Sequence, residues 1–272
     1  MEEANKIYNG IEFANMPKEG SRALLIVENM NTCPFFTASN LKKVPHGFFS
    51  NGGAFTLAKG EPFVSCNVAF GRGDSDDVVA INRQRVADSI GHPVRKVVFT
   101  KQEHTNEVVV VDENTTITSP CDALVTTTPG ILIGIYTADC VPVLLFGGSV
   151  VGVVHCGWKG LKLKIIQNTL NAMLALGAKD LAAAIGPSIG KKNYVVDENF
   201  LNEFPEDLDC MEKQDNGWHA DLRKIAAKQL AIVQNIEEIC LDTYDFPNVF
   251  FSCRRFLPAN EPVRTQASVI ML

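Results

Sequence analysis

Apolar residues in the first half of the chain occur in short runs separated by turn residues. Runs of this length that are rich in β-branched side chains are typical of strands. The predicted strands of this half cover residues 23–27, 47–50, 63–70, 96–100, 108–111 and 131–136. Two further runs, 141–146 and 150–154, are separated by the sequence GGS, which predicts a β-hairpin. The alternating segment 263–272 predicts a last strand.

Helical spacing of apolar residues is found in three segments. The first begins after Ser75, a predicted N-cap, and ends at Gly91. The other two cover 161–176 and 221–233. Because strands outnumber helices and several strands form hairpins, the pattern favours an α+β fold over alternating βαβ units. No linker divides the sequence, so we expect a single domain over residues 1–272.

Composition and charge narrow the function classes. Of the 272 residues, 46% are hydrophobic and 21% are charged, which is typical of a globular chain rather than a disordered or coiled-coil one. The formal net charge of −6 argues against a mainly electrostatic nucleic-acid binder. Neither a signal peptide nor a bilayer-spanning apolar segment is evident, so we expect no membrane association and a cytoplasmic location. No feature identifies a protein partner.

The histidines and cysteines limit the metal chemistry that the chain can support. The five histidines form no H-x-H pair, whereas a multicopper oxidase needs several imidazoles for each copper cluster. We therefore exclude that class of enzyme. The eight cysteines form no C-x-x-C motif, which together with the expected cytoplasmic setting predicts mostly free thiols.

One cysteine and one histidine flank the predicted hairpin. If Gly147 and Gly148 form a two-residue turn, Cys140 lies directly opposite His155, with Cβ atoms about 4.5–5.5 Å apart. A three-residue turn would shift the pairing and loosen this contact. The pair suits a shared metal ion or a thiolate–imidazolium pair, although a buried cysteine beside a strand is often no more than a small hydrophobe.

A third metal ligand has to come from another segment. His104 lies at the end of a predicted strand, and His46 is its competitor. His92 and His219 are expected at the surface. Two histidines and one cysteine leave one position open, which is the ligand set of a catalytic zinc site, and copper is also possible.

Four other residues are candidates for the chemistry of such a site. Asp139 is a candidate acid/base, although a regular strand would point it away from Cys140 and leave it a structural role. Lys159 and Arg254 are candidate phosphate partners, with solvated charges or local ion pairs as the alternative. Ser188, in a loop with glycine on both sides, is a candidate contact to an anion or a base, and the alternative is a simple turn.

Several motifs together resemble the YfiH/laccase-domain family, whose members were once called polyphenol oxidases and are now regarded as purine nucleoside phosphorylases. The motifs are HGFFSNGG (46–53), SCNVAFGRGDSDDVVAINR (65–83), KQEHTNEV (101–108), TADCVPVLL (137–145), HCGWKG (155–160), IGPSIG (185–190) and FFSCRR (250–255). The combination of TADC and HCGWKG is highly specific for the family. The resemblance implies layered mixed sheets flanked by helices, in the order α/β/β/α. It also implies a metal site at His104, Cys140 and His155.

The resemblance further implies a reaction. The family is implied to cleave adenosine, inosine and 5′-methylthioadenosine with phosphate, and adenosine deamination is also attributed to it. We therefore expect a zinc-dependent purine nucleoside phosphorylase whose partners are a purine nucleoside and phosphate. The chain departs from the family pattern at Asn51, Cys156 and Cys253, where arginine, alanine and tyrosine are usual. An asparagine does not replace the paired donors that an arginine offers to phosphate.

Two alternatives from other classes stay open at this point. One is a metal-free hydrolase or deamidase that uses Cys140 as nucleophile and His155 as base. The other is a ligand-binding protein that keeps the scaffold without catalysis. Bound metal, thiol reactivity and nucleoside turnover distinguish the three.

Overall fold

The computed structural model describes residues 24–26, 33–52, 65–260 and 262–272. Within these ranges the strands are β1 (Leu24–Ile26), β2 (Phe35–Thr37), β3 (His46–Phe49), β4 (Lys96–Phe99), β5 (Val108–Val110), β6 (Ala123–Thr126), β7 (Ile131–Thr137), β8 (Val141–Phe146), β9 (Val151–Cys156), β10 (Ala182–Ile185), β11 (Val195–Val196), β12 (Met211–Gln214), β13 (Gly217–Ala220), β14 (Asn235–Glu238) and β15 (Gln266–Ile270). The α-helices are α1 (Asp76–Ser89), α2 (Trp158–Lys162), α3 (Ile165–Ala175), α4 (Leu222–Gln229) and α5 (Cys253–Ala259).

The strands form two mixed six-stranded sheets and a small third sheet. The first sheet has the order β1-β2-β3-β15-β7-β4, the second β14-β10-β8-β9-β6-β5, and the third β11-β13-β12. Parallel pairs lie at the edges of the large sheets, where β4 pairs with β7, β5 with β6 and β10 with β14. The chain passes from the first large sheet to the second between β4 and β5, and again between β7 and β8.

The two large sheets face each other across an apolar core. Phe48, Ile133 and Ile270 of the first sheet belong to one buried cluster with Leu144 and Val153 of the second. Burial of each such side chain stabilises the fold by about 1.5–3 kcal/mol. The outer face of the first sheet packs against α1, and that of the second against α3 and α4. The predicted α+β fold, with layered sheets flanked by helices, is confirmed in the order α/β/β/α.

Most of the predicted strands are present with small shifts of their ends. The exception is the strand predicted over 63–70, which is wrong for its described part, because residues 65–70 form no ladder. The buried side chain of Asn67 explains this, since its Oδ1 accepts from the backbone amide of Thr265 (3.0 Å) and its Nδ2 donates to the carbonyl of Arg72 (2.9 Å). Residues 63 and 64, and the ends 23 and 27 of the first predicted strand, lie outside the described ranges.

The long helix predicted after β9 is divided into α2 and α3. The chain turns at Lys164, whose φ is 62°. Two carbonyls at the end of α2 accept from side chains. Gln229 Nε2 donates to Leu161 O (2.7 Å), which also accepts from Lys164 N (3.0 Å), and Asn106 Nδ2 donates to Leu163 O (3.2 Å). The other two predicted helices are present as α1 and α4, and α4 ends four residues earlier than the sequence predicts.

Two sequence expectations concern the thiols and the helices. All eight cysteines lie in the described ranges, and the structure places none of them in a disulfide bond. The described helices include none with the length and apolar character that a bilayer crossing requires.

Candidate metal centre

Three side chains with metal-binding atoms meet where the chain passes between the two large sheets. His104 lies on the connection from β4 to β5, and Cys140 on the connection from β7 to β8. His155 lies near the end of β9. One ligand atom from each of the three lies within 4.8 Å of the other two. The fold therefore brings together residues that are distant in the sequence, since His104 and His155 are 51 positions apart.

The pairing register that the sequence predicted for this hairpin is wrong. In the structure Pro142 is opposite His155, and Val141 is opposite Cys156. The reason is a longer turn of residues 147–150, closed by a 2.8 Å hydrogen bond from Gly147 N to Val150 O. Cys140 consequently lies just before β8 rather than opposite His155.

The thiol and the two imidazoles nevertheless form one cluster. Cys140 Sγ lies 3.8 Å from Nε2 of His104. The rings of His104 and His155 are 4.9 Å apart between centroids and are inclined by 71°. His104 is exposed, Cys140 is half-buried and His155 is buried, so the cluster has an open side.

The other histidines have different roles. His46, the competitor as third ligand, is buried in β3, where its Nε2 accepts from Ala38 N (2.9 Å) and its Nδ1 bonds to Val44 O (2.9 Å). His92 is exposed, as predicted. The surface position predicted for His219 is wrong: this residue is buried, because β13 lies between two strands, and both of its ring nitrogens have partners.

A residue that the sequence reasoning missed connects two members of the cluster. Asp122 is fully buried, and its Oδ1 lies 2.7 Å from Nδ1 of His155. The same carboxylate accepts from the backbone amides of His104 (3.1 Å) and Thr105 (2.6 Å) and from the Thr105 hydroxyl (2.8 Å). The sequence did contain a signal, a single aspartate directly before the apolar strand β6. A carboxylate at such a position is expected to be buried, and because burial of an unpaired carboxylate is costly, it is expected to have partners.

The charges of the cluster depend on one another. Burial alone would raise the pKa of the Cys140 thiol, but the charge of His155 and the hydrogen bond with His104 outweigh it and lower this pKa to about 6. Burial alone would lower the pKa of His155, but the Cys140 charge and the bond to Asp122 raise it to about 9. Without a metal ion, Cys140 and His155 therefore form a thiolate–imidazolium pair at pH 7.

Asp139 adjoins Cys140 and is buried. Its φ is 91°, so the chain bends here, and a bend is what a role beside Cys140 requires. Its carboxylate accepts from Thr243 Oγ1 (2.6 Å), Ser252 Oγ (3.0 Å) and Arg254 N (2.7 Å). Burial raises the pKa of the Asp139 carboxyl.

The candidate phosphate partners differ in how they are held. Lys159 is exposed at the start of α2, with its Nζ 5.6 Å from the centroid of the Trp158 ring. The guanidinium of Arg254 donates to Val195 O (2.8 Å) and lies 5.0 Å from the centroid of the Tyr194 ring. Both cations thus lie beside aromatic rings. Arg254 is also held by its bond to Val195 O, whereas Lys159 is exposed and therefore more available to a ligand.

Ser188 and Asn51 are buried. The backbone amide of Ser188 donates to Leu241 O (3.2 Å), so it is not available to an anion, while the Ser188 hydroxyl finds no hydrogen-bond partner among the described residues. Asn51 donates through Nδ2 to Pro247 O (3.0 Å), so this amide holds a loop where the family pattern has arginine.

A second group of metal-binding side chains consists of Asp207, Asp209 and Cys210. Two lysines already compensate the charge of its two carboxylates: Lys228 Nζ lies 2.6 Å from Asp207 and 2.8 Å from Asp209, and Lys224 Nζ lies 3.0 Å from Asp209. Among the described residues, the group around His155 is therefore the better candidate for a metal centre.

Comparisons with known proteins agree on one family. Residues 46–272 match the model of a family described as multi-copper polyphenol oxidoreductase laccase. The chain is 34% identical over 177 residues to a purine nucleoside phosphorylase of Rickettsia conorii, covering 61% of this chain and 73% of that protein. It is 37% identical over 175 residues to a purine nucleoside phosphorylase of Deinococcus radiodurans, covering 63% of this chain and 66% of that protein.

Two crystal structures share the fold. Hypothetical protein YfiH of Bacillus licheniformis superposes with a TM-score of 0.78 at 25% identity, over 90% of this chain and 97% of that one. Protein NMB0706 of Neisseria meningitidis superposes with a TM-score of 0.70 at 26% identity, over 93% of this chain and 99% of that one.

Proposed function

The chain belongs to the multi-copper polyphenol oxidoreductase laccase family, and from this membership we propose that it is a zinc-dependent purine nucleoside phosphorylase. Its substrates are adenosine, inosine and 5′-methylthioadenosine, with phosphate as the second substrate. The names of the relatives from Rickettsia conorii and Deinococcus radiodurans support the reaction class. The observation that carries the proposal is the cluster of His104, Cys140 and His155, with its open side. The cytoplasmic location stays a prediction from the sequence.

The donor atoms fit a zinc ion. Two imidazoles and one thiolate are ligands that zinc prefers, and three protein ligands leave one coordination position for a small molecule. Because Asp122 occupies Nδ1 of His155, the Nε2 atom of that ring is left as its ligand atom. The low pKa of Cys140 provides the thiolate that metal binding needs. When bound, zinc supplies Lewis-acid polarisation to a substrate group. Copper fits the same donors, so metal analysis has to decide between them.

The residues around the cluster supply the steps of phosphorolysis. Lys159 and Arg254 bind phosphate and orient it towards the anomeric carbon of the nucleoside. A phosphate oxygen forms a bond to that carbon while the bond to the purine nitrogen breaks, and its electron pair goes to the purine. Asp139, whose pKa burial raises, transfers the proton that the departing base needs. The buried hydroxyl of Ser188 offers a hydrogen bond to the substrate.

Adenosine deamination is a second reaction for the same open site. In that reaction water replaces the 6-amino group of adenine and ammonia leaves, so phosphate is not consumed. The two reactions share the purine nucleoside and differ in their products, which makes them separable in one assay.

The alternative is a metal-free hydrolase or deamidase with Cys140 as nucleophile and His155 as base. The specific observation in its favour is the thiolate–imidazolium pair that the two residues form without metal. This alternative requires that metal chelation leave the activity intact, whereas the zinc enzyme loses it.

The test is turnover of adenosine by the metal-analysed protein, with and without phosphate. We expect adenine and ribose 1-phosphate only when phosphate is present, and loss of both in His155→Gln. The matched control is His92→Gln, which changes an exposed histidine outside the cluster. Inosine formed without phosphate would make the protein a deaminase, and no nucleoside product under either condition would contradict the proposal.

A further inference from the structure

Asp122 is the buried group through which two separate parts of the cluster are joined. It lies directly before β6, and its backbone carbonyl accepts from His155 N (2.8 Å), so the two residues face each other across the β6–β9 pair. Its side chain then reaches in two directions. One direction is the ring of His155, and the other is the backbone of residues 103–105, the turn that carries His104.

The two carboxylate oxygens divide these donors between them. Oδ1 accepts from His155 Nδ1 (2.7 Å) and His104 N (3.1 Å). Oδ2 accepts from Thr105 N (2.6 Å), Thr105 Oγ1 (2.8 Å) and Glu103 N (3.3 Å). The backbone at His104 has a φ of 60°, a conformation that non-glycine residues rarely adopt, and the bonds to Asp122 hold it there.

We infer that Asp122 is a positioning residue that sets the geometry of both histidines of the metal site at once. Its bond to Nδ1 keeps the proton of the neutral His155 ring on that atom and leaves Nε2 free as a ligand. Its bonds to the turn hold the strained backbone that presents His104. The inference rests on the proposed function in so far as the site binds a metal ion.

Asparagine has nearly the same shape as aspartate but cannot make both sets of bonds. If the amide nitrogen takes the place of Oδ2, it faces the N–H of Thr105, so a donor meets a donor and the turn is released. If it takes the place of Oδ1, it donates to Nδ1 of His155 and moves the ring proton to Nε2, the ligand atom. Either orientation of the amide therefore disturbs one of the two histidines.

The experiment compares Zn²⁺ dissociation constants of the wild-type protein, Asp122→Asn and Glu237→Gln, by competition with a chromophoric chelator. Glu237 is the matched control, because its carboxylate also accepts from a hydroxyl and a backbone amide, those of Ser39 (2.7 Å) and Asn40 (2.9 Å), but lies on the edge strand β14. We expect Asp122→Asn to bind Zn²⁺ about 10–100-fold more weakly and Glu237→Gln to bind it like the wild type. Equal dissociation constants for Asp122→Asn and the wild type would overturn the inference.

A second readout separates this inference from the proposed function. Two-bond ¹H–¹⁵N spectra of the metal-free protein, recorded across a pH titration up to the neutral form of the His155 ring, report which ring nitrogen carries the proton, and Asp122 lies 2.7 Å from Nδ1. We expect Nδ1–H in the wild type and loss of that tautomer in Asp122→Asn, and an unchanged tautomer would overturn the inference even if the wild type bound no metal. If Asp122→Asn does not fold, Thr105→Val is the second variant, because it removes the hydroxyl that donates to Oδ2 (2.8 Å) and accepts from Glu107 N (3.2 Å). We then expect a few-fold weaker Zn²⁺ binding, and unchanged binding would overturn the inference.

Discussion

Cys140 and His155 carry opposite charges near neutral pH as long as no metal ion is bound. Burial opposes both charges, but each group favours the charged form of the other more strongly than burial disfavours it. At the scale of the residue, the site therefore contains a thiolate that is ready to bind metal or to react. Cys156, the next cysteine along the chain, is the contrast, because burial raises the pKa of its thiol well above the ordinary value.

The first prediction concerns the reactivity of the Cys140 thiol. In the metal-free protein, alkylation by iodoacetamide should rise with pH through a midpoint near 6, because only the thiolate reacts. The reaction at pH 7 should slow about tenfold or more in His155→Gln, which lacks the imidazolium, and saturating Zn²⁺ should protect the thiol. Peptide mass spectrometry at each pH measures the rate for Cys140 alone. A midpoint near 9 would contradict the assigned charge state.

The second prediction separates the two roles open to Asp139. Asp139→Asn keeps the shape of the side chain but removes the group that exchanges a proton. If Asp139 is the acid of the reaction, kcat should fall about 100-fold or more while KM for adenosine changes little. Steady-state kinetics and a melting curve of the same preparation provide the measurement. Unchanged kcat with a lower Tm would show that the bonds to Thr243 and Ser252 are its whole role.

At the scale of the element, the turn from β9 into α2 brings the backbone against the ligands. A Cβ at Gly157 would collide with Cδ2 of His104 and would lie 3.1 Å from its Nε2 and 3.4 Å from Cys140 Sγ. The φ of Gly157 is −70°, which any residue adopts, so glycine is needed here for space and not for conformation. The lack of a side chain at Gly157 therefore allows α2 to begin directly beside the candidate metal site.

The third prediction follows from this close approach. Gly157→Ala should displace the His104 ring and weaken Zn²⁺ binding at least tenfold, with the protein still folded. The matched control is Cys156→Ala at the preceding position, whose buried side chain is part of the core below α3. A chelator competition measures both variants. An unchanged Zn²⁺ affinity in Gly157→Ala would contradict the prediction, because it would mean that the His104 ring can move without loss of binding.

The fourth prediction uses two lysines of α2. Lys159→Met should raise the KM for phosphate about tenfold, because a charged hydrogen bond to the substrate contributes roughly 1.5 kcal/mol. Lys162→Met is the matched control, since Lys162 pairs with Glu203 and should leave the KM unchanged. Phosphate titrations at saturating adenosine measure both values. Equal KM values for the two variants would remove Lys159 from the phosphate site.

The elements also show how far sequence reasoning extends. The apolar runs and the pattern of turn residues predicted α1 and eight of the fifteen described strands, because burial of one face determines such patterns. They missed β2, β6 and the five strands from β10 to β14. Predicting the hairpin register requires knowing the length of the turn, which a run of small residues does not specify. The predicted pairing of Cys140 opposite His155 was therefore wrong, although the two side chains still belong to one cluster. Asp122 was missed because β6 pairs with β9, a neighbour that no local pattern reveals.

At the scale of the whole molecule, the candidate site lies where two connections lead from the first large sheet to the second. His104 belongs to the connection from β4 to β5, Cys140 to that from β7 to β8, and His155 to a central strand of the second sheet. The shared core fixes the distance between the sheets and hence between the ligands. A metal ion at this junction would tie both connections to the second sheet, so we expect its loss and the loss of activity to occur together.

The most direct test of the account is the zinc content of the wild-type protein and of Cys140→Ala, measured on the same preparations that are assayed for adenine release from adenosine. Cys240→Ala, which changes an exposed cysteine, is the control. We predict about one zinc per chain and phosphate-dependent adenine release in the wild type and in the control, and loss of both in Cys140→Ala. Phosphate-dependent release that persists in Cys140→Ala without zinc would contradict the account.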